Sequence, residues 1–168
     1  YNEYTLNFHQ GDTLKINIGD KFNIMGFDAV IGNPPYNSFG DTGTGNTIWQ
    51  DFTKKSLDFW LKVEGYLLFV HPPGWRKPCY NKSQLKGLFE KMTHVNSMIY
   101  LSIHGIKDGQ QIFKCGTKYD WYIIYRSKTN CITEIKDEKG DICNINLNNL
   151  EWLPNYNINK IMKIISTN

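Results

Sequence analysis

Arginine is scarce in this chain of 168 residues: Arg76 and Arg126 are the only two, and lysine carries almost all of the positive charge. The balance of 19 basic against 16 acidic side chains leaves +3. That field is too small to draw a polyanion to the whole molecule, so any attraction to phosphate rests on local clusters. Metal-binding cysteine patterns are missing too. Cys79, Cys115, Cys131 and Cys143 form no Cys-x-x-Cys pair and have no histidine at zinc-finger spacing, which argues against a zinc module or a disulfide framework and predicts reduced thiols and no metal. No apolar run approaches the roughly 18 to 20 residues of a membrane span, and no charged-then-apolar leader opens the chain. A soluble, intracellular (cytoplasmic) protein without a membrane partner is expected. There is also no internal repeat, which sets solenoids aside.

What is present is the patterning of an α/β protein. Hydrophobic residues make up 40% of the chain, enough for one core, while the length is too short for two ordinary domains. Residues 4–8 alternate apolar and polar and run into Gly11-Asp12-Thr13-Leu14, a strand ending in a turn. Residues 27–32 form a brief apolar run closed by Gly32 and two prolines, as expected of a buried strand in a mostly parallel sheet. A Gly-, Ser- and Asn-rich loop at 37–46 precedes a helix expected over 47–63, which Gly65 would stop. Residues 66–70 form the next buried strand, ended by His71-Pro72-Pro73-Gly74-Trp75. Leu85, Leu88, Phe89 and Met92 sit at helical spacing, with Asn81 or Ser83 as N-cap. Two β-rich segments, 97–103 and 119–125, are joined by a Gly- and Lys-containing stretch at 105–118. Past Arg126 the chain turns polar, with a loop at 144–149 and a short final helix at 158–165. The order of elements predicts an α/β sheet.

In such sheets ligands bind beyond the carboxyl ends of the strands, and Asn33-Pro34-Pro35-Tyr36 stands at one of them. The exocyclic amine of adenine is a poor nucleophile because its lone pair is delocalised into the ring. Acceptors draw that pair out. The amide oxygen of Asn33 and the backbone carbonyl of Pro34 can each take one amine N–H, favouring a pyramidal nitrogen whose lone pair faces an electrophile. Pro34 and Pro35 hold φ near about −65° and remove two amide donors, which fixes the aim of that carbonyl. Tyr36 offers a flat face for a base, and a base in a duplex must be flipped out to reach it. The tetrapeptide would arise by chance in on the order of one chain of this size in a thousand.

These residues resemble the S-adenosylmethionine-dependent amino-methyltransferases whose catalytic tetrapeptide is Asn/Asp/Ser-Pro-Pro-Tyr/Phe. Gly11-Asp12 is similar to the family's preceding motif, Phe27-Asp28-Ala29-Val30-Ile31-Gly32 to the strand leading into the tetrapeptide, and Ile48-Trp49-Gln50-Asp51-Phe52 to the helix that follows. The glycine-led run from Gly65 to Trp75 resembles the strand ending in Pro and Trp of the DNA-modifying members. Ile112-Phe113 followed by 118–126 is similar to the segment whose aromatic packs on a flipped adenine. The resemblance implies a Rossmann-like methyltransferase sheet and transfer of a methyl group from S-adenosylmethionine to adenine N6 in DNA, in a restriction-modification or orphan system. It implies Asn33, Pro34, Pro35 and Tyr36 as the catalytic loop, Asp12, Phe52 and Asn33 at the cofactor, and Tyr36 with Phe113 around the base.

Two family features are absent from the sequence: the aromatic-x-Gly-x-Gly cofactor loop and the acidic residue that holds the ribose. Both are expected ahead of Tyr1. The chain is therefore read as residues 1–127, the catalytic part of a sheet lacking its N-terminal cofactor-binding strands, and residues 128–168, a polar extension at the start of a target-recognition region. Such a fragment, or half of a split enzyme, is expected to work with the missing N-terminal segment or a specificity subunit and to turn over little alone. RNA or a protein glutamine amide is the alternative substrate; a non-catalytic methyltransferase-like subunit is the alternative of another class. His71 is expected to be structural, since an amine polarised by carbonyls needs no strong base, and Lys107, Lys114 and Lys118 to be solvated surface.

Overall fold

The computed structural model describes residues 8–38, 47–79, 83–129 and 131–165. The strand expected at 4–8 and most of the loop expected at 37–46 lie outside them. In chain order the elements are α1 (Ile18–Phe22), β1 (Phe27–Gly32), α2 (Trp49–Lys55), β2 (Leu61–His71), α3 (Leu88–Glu90), β3 (Ser97–His104), α4 (Ile106–Phe113), β4 (Tyr119–Tyr125), β5 (Thr133–Lys136), β6 (Ile142–Ile145) and α5 (Ile158–Ile165). The strands form one six-stranded sheet in the order β1-β2-β4-β3-β5-β6. β1 runs parallel to β2 and β3 parallel to β5, whereas β4 lies antiparallel between β2 and β3. The fold is the mixed α/β, Rossmann-like methyltransferase sheet that the motifs implied.

The sheet's two faces differ. Side chains alternate across a strand, and Leu67 and Phe69 of β2 point with Tyr122 and Ile124 of β4 into a core that also holds Trp49, Leu57, Trp75, Leu88 and Met92. Their neighbours Tyr66, Leu68, Val70, Trp121, Ile123 and Tyr125 face the other way and are exposed or half-buried. Burying one such large side chain stabilises the fold by about 1.5–3 kcal/mol, so stability is concentrated on the α2 and α3 side.

Several elements depart from the sequence pattern. The helix expected over 47–63 ends as α2 and a π-turn at Ser56–Trp60, and β2 begins directly at Leu61. The wider turn lets Leu61 pair with Phe27, and Glu64, at φ 67, bulges the strand before Tyr66 resumes the register with Ala29. The helix around Leu88 is likewise short and passes into a π-turn at Lys91–Val95. Ser83 caps the turn before it by accepting the Leu85 amide at 3.1 Å; Asn81 lies outside the described residues. The stretch at 105–118 contains a helix, α4. It starts because Asp108 reaches back to the Gly105 amide at 3.1 Å, and it ends at Lys114 in the left-handed region.

The polar segment after 127 supplies β5 and β6, and β6, at Ile142–Ile145, takes the first two residues of the loop expected at 144–149. Ile135, Cys143, Leu147, Leu153 and Ile158 join the one core. Arg76 secures this return. Its side chain bonds Asp120 through Nε (2.7 Å) and Nη2 (3.2 Å), and reaches the carbonyls of Leu153 and Pro154 and the side chain of Asn155 at 3.0–3.3 Å. All five donors of the guanidinium are thereby engaged. Trp75 adds a further bond to Asp120 at 2.9 Å.

Candidate active site

Because β1, β2 and β3 all point the same way, their carboxyl ends and the start of β4 share one edge of the sheet. Asn33-Pro34-Pro35-Tyr36 leaves β1 there, Pro72-Pro73-Gly74-Trp75 leaves β2, and α4 leaves β3. The tetrapeptide is anchored at both ends. Gly32 is in register with Phe69 of β2, and the Tyr36 carbonyl accepts the Ile48 amide at 3.1 Å. A bridge between Asn37 and Thr47 closes the excursion in between and hands the chain to α2. Pro34 is buried, Asn33 and Pro35 are exposed, and Tyr36 is half-buried against the core. A stiff loop thus presents its first side chain outward while its tyrosine plugs the core.

The Tyr36 hydroxyl is buried and makes no hydrogen bond of ordinary geometry among the described residues; the Asn33 side chain is its polar neighbour. Burial pushes its pKa up, with Cys115 and Tyr119 adding to the effect. These neighbours come from the turn after α4 and from β4. Phe113, at the end of α4, meets Tyr119 edge to face at 5.0 Å and 84°. Tyr119 thus meets Phe113 directly and is also one of the groups that act on the Tyr36 hydroxyl. Neither Cys115 nor Tyr119 was singled out by the sequence. Tyr119 had a signal, as the first aromatic of a strand beginning where the site lies.

Asp12 lies apart from this group. It caps a 3-10 turn at Thr13–Lys15 by accepting the Leu14 amide at 3.1 Å and pairs with Lys15 at 3.2 Å. The Lys15 ammonium holds its carboxyl below the ordinary carboxylate value. Lys55 of α2 hydrogen-bonds the Leu14 carbonyl, tying this turn to the helix whose Phe52 sits edge-on to Trp60 at 6.3 Å. A cleft of about 320 Å³ opens alongside, lined by residues that include Thr13, Ile18, Phe27 and Trp60. Asp12 and Phe52 flank this cleft in sequence and contact, Asp12 beside Thr13 and Phe52 against Trp60, but neither is among the residues that line it.

His71 is wholly buried, stacked on Trp49 at 4.1 Å. Its Nδ1 lies 2.9 Å from the Pro72 carbonyl and its Nε2 2.7 Å from the Tyr122 hydroxyl. A carbonyl only accepts, so Nδ1 carries the proton and Nε2 accepts from Tyr122. Burial lowers its pKa to about 4. Both nitrogens are spent on the fold. Lys118 pairs with Glu138 at 3.2 Å, Lys114 bonds the Gln111 carbonyl at 3.1 Å, and Lys107 is exposed. Among the described residues no helix is long and apolar enough to cross a membrane.

Known proteins share these features. An uncharacterized adenine-specific methylase of Mycoplasma pneumoniae is 43% identical over 58 residues, a match covering 32% of this chain and 13% of that protein. The type I restriction-modification methyltransferase subunit of Streptococcus thermophilus superposes with a TM-score of 0.57 at 18% identity, over 95% of this chain and 35% of its own. The M protein of the type I restriction enzyme EcoKI gives 0.53 at 14% identity, over 76% and 28%. At those identities the superpositions establish the fold, and the chain spans about a third or less of each of these proteins. The family profile described as Eco57I restriction-modification methylase matches residues 2–113, more than half of the sequence, and the chain belongs to that family.

Proposed function

We propose that this chain carries the acceptor-binding part of a DNA methyltransferase that modifies N6 of adenine within a restriction-modification system. The observation that carries the proposal is the placement of Asn33-Pro34-Pro35-Tyr36. It is a proline-stiffened loop, tied at Gly32 and Tyr36, with Asn33 turned outward at the carboxyl edge of the sheet and Tyr119 of β4 acting on Tyr36. Membership of a methylase family and the adenine-specific description of the Mycoplasma relative support adenine as target. Relatives among type I modification subunits support DNA and a specificity subunit as partners.

The chemistry of these residues is orientation. The Asn33 amide oxygen and Pro34 carbonyl accept the two N–H bonds of the amine and hold the nitrogen pyramidal; once alkylated, the cationic nitrogen is acidic enough to release one proton to water, so no strong base is needed. Tyr36 and Phe113 bound the base that has left the duplex. Asp12 and Phe52 would hold the adenine of S-adenosylmethionine, which supplies an electrophilic methyl group on a sulfonium. In the complete methylase, Asn33→Ala is expected to lower methylation of a cognate duplex by about 10²-fold or more, the scale of losing one preorganised polar contact. Because Asn33 is exposed, the unfolding free energy should stay within about 0.5 kcal/mol of the parent. Retained N6-methyladenine formation, read by mass spectrometry of digested DNA, would overturn the assigned role. Methyl transfer to RNA or to a glutamine amide instead of DNA would overturn the substrate.

A further inference from the structure

Ser102, His104 and Asp108 form a connected set that the acceptor-site reading does not use. The Ser102 Oγ lies 2.9 Å from His104 Nε2, and His104 Nδ1 lies 3.4 Å from Asp108 Oδ2. A carboxylate only accepts, so Nδ1 faces it as N–H and the Ser102 hydroxyl donates to Nε2. The order is that of a hydrolytic triad, yet Ser102 is 2% exposed and its proton is committed to the ring, so no substrate can reach it. What the set does is hold a ring still. His104 lies flat on Tyr119, centroids 4.4 Å apart and planes 2° from parallel, and Tyr119 receives Phe113 edge-on.

The same carboxylate closes the first turn of α4 through the Gly105 amide. One turn on, Gly109 sits so close to the Thr117 carbonyl that any Cβ would collide with it. α4 is thus gripped at its base by Asp108 and along its length by Thr117, and Phe113 at its tip rests on a tyrosine whose own plane is set by His104. We propose that His104 is a positioning residue of the acceptor pocket: by its face-to-face stack it fixes Tyr119 and, through Tyr119, Phe113. This deepens the acceptor-site reading and rests on it. The ring, more than its nitrogens, carries the effect, because the stack is what reaches the pocket while the bond to Ser102 and the nearby Asp108 carboxylate serve to aim it.

The test uses the complete methylase and a duplex with 2-aminopurine at the target adenine. Both His104→Asn and His104→Ala should raise KM for DNA roughly three- to tenfold, the range of an aromatic pair's worth, and alter the emission of the bound probe, with kcat moving less. His104→Phe should restore both readouts to within about twofold, since the ring is kept. Asn performing as well as Phe, or a fall in kcat with KM and emission unmoved, overturns the proposal. Should the alanine variant fail to fold, Asn against Phe decides, as both fill the site. Asn33→Ala is run alongside. If it retains turnover, the acceptor-site reading fails. If it loses turnover while all the His104 variants behave as the parent, only the role of His104 fails.

Discussion

His71 shows how one buried side chain exchanges reactivity for stability. It stands at a strand end next to two prolines, a place where a histidine could serve as general base, but Pro72 and Tyr122 occupy both nitrogens and Trp49 covers the ring. With its pKa at about 4 in the fold and about 6.5 in the unfolded chain, the unfolded chain takes up a proton between those values that the folded protein refuses. Its contribution is present above about pH 6.5 and is lost as pH falls toward 4, the loss amounting to about 3 kcal/mol once the pH is below that. Urea midpoints measured from pH 7 to 4 should decline more steeply in the parent than in His71→Gln, whose side chain does not titrate. Parallel curves would show that the imidazole takes up its proton in the folded state. The sequence could place His71 structurally because the proposed chemistry needed no base; it could not show the tautomer, which depends on Tyr122, 51 residues away.

At the level of elements, local signals found what local forces decide. The strands at 27–32, 97–104 and 119–125 and the helix at 158–165 announce themselves by apolar runs and periodicity, and the tetrapeptide by its composition. α4 did not, because Gly105 and Gly109 read as loop residues when only one residue's neighbours are considered. In the fold Gly109 is required by the approach of the Thr117 carbonyl, a tertiary contact. The alternation of Thr133, Glu134, Ile135 and Lys136 was visible but outweighed by the polarity around it; Thr133 and Ile135 are its buried half, and Glu134 to Lys136 pair with β3. The glycine makes a prediction. Gly109→Ala would raise helix propensity and still destabilise the protein by about 1–3 kcal/mol, since overpacking against backbone exceeds the propensity gain. Hydrogen exchange should show the loss in the amides of α4 before those of β3. A stabilised variant would mean that α4 rides free of Thr117.

For the molecule as a whole, the decisive arrangement is that the two proline loops and α4 leave the sheet at one edge while the segment after 127 returns to Arg76. The link is Arg76, one of only two arginines, bonded on one side to Asp120 next to Tyr119 and on the other to Leu153, Pro154 and Asn155. Neither partner was legible in the sequence, because a lone arginine after Pro-Pro-Gly-Trp and a lone aspartate inside an aromatic strand, 44 positions apart, look like isolated charges until the chain is folded. Lysine cannot replace it, having one point charge where the site uses a planar fork. Arg76→Ala strands a buried carboxylate and frees the return segment, at an expected cost of about 3–5 kcal/mol. Urea unfolding should register that loss, and limited proteolysis should cut the 146–157 stretch sooner than in the parent. The double variant Arg76→Met with Asp120→Leu removes the stranded charge as well, so it should cost less than Arg76→Ala alone while leaving the return segment just as open to protease. Equal losses in the two would locate the stability in the contacts to 153–155 and not in the ion pair, and an unchanged cleavage rate would mean that the core residues Leu153 and Ile158 hold the segment without Arg76.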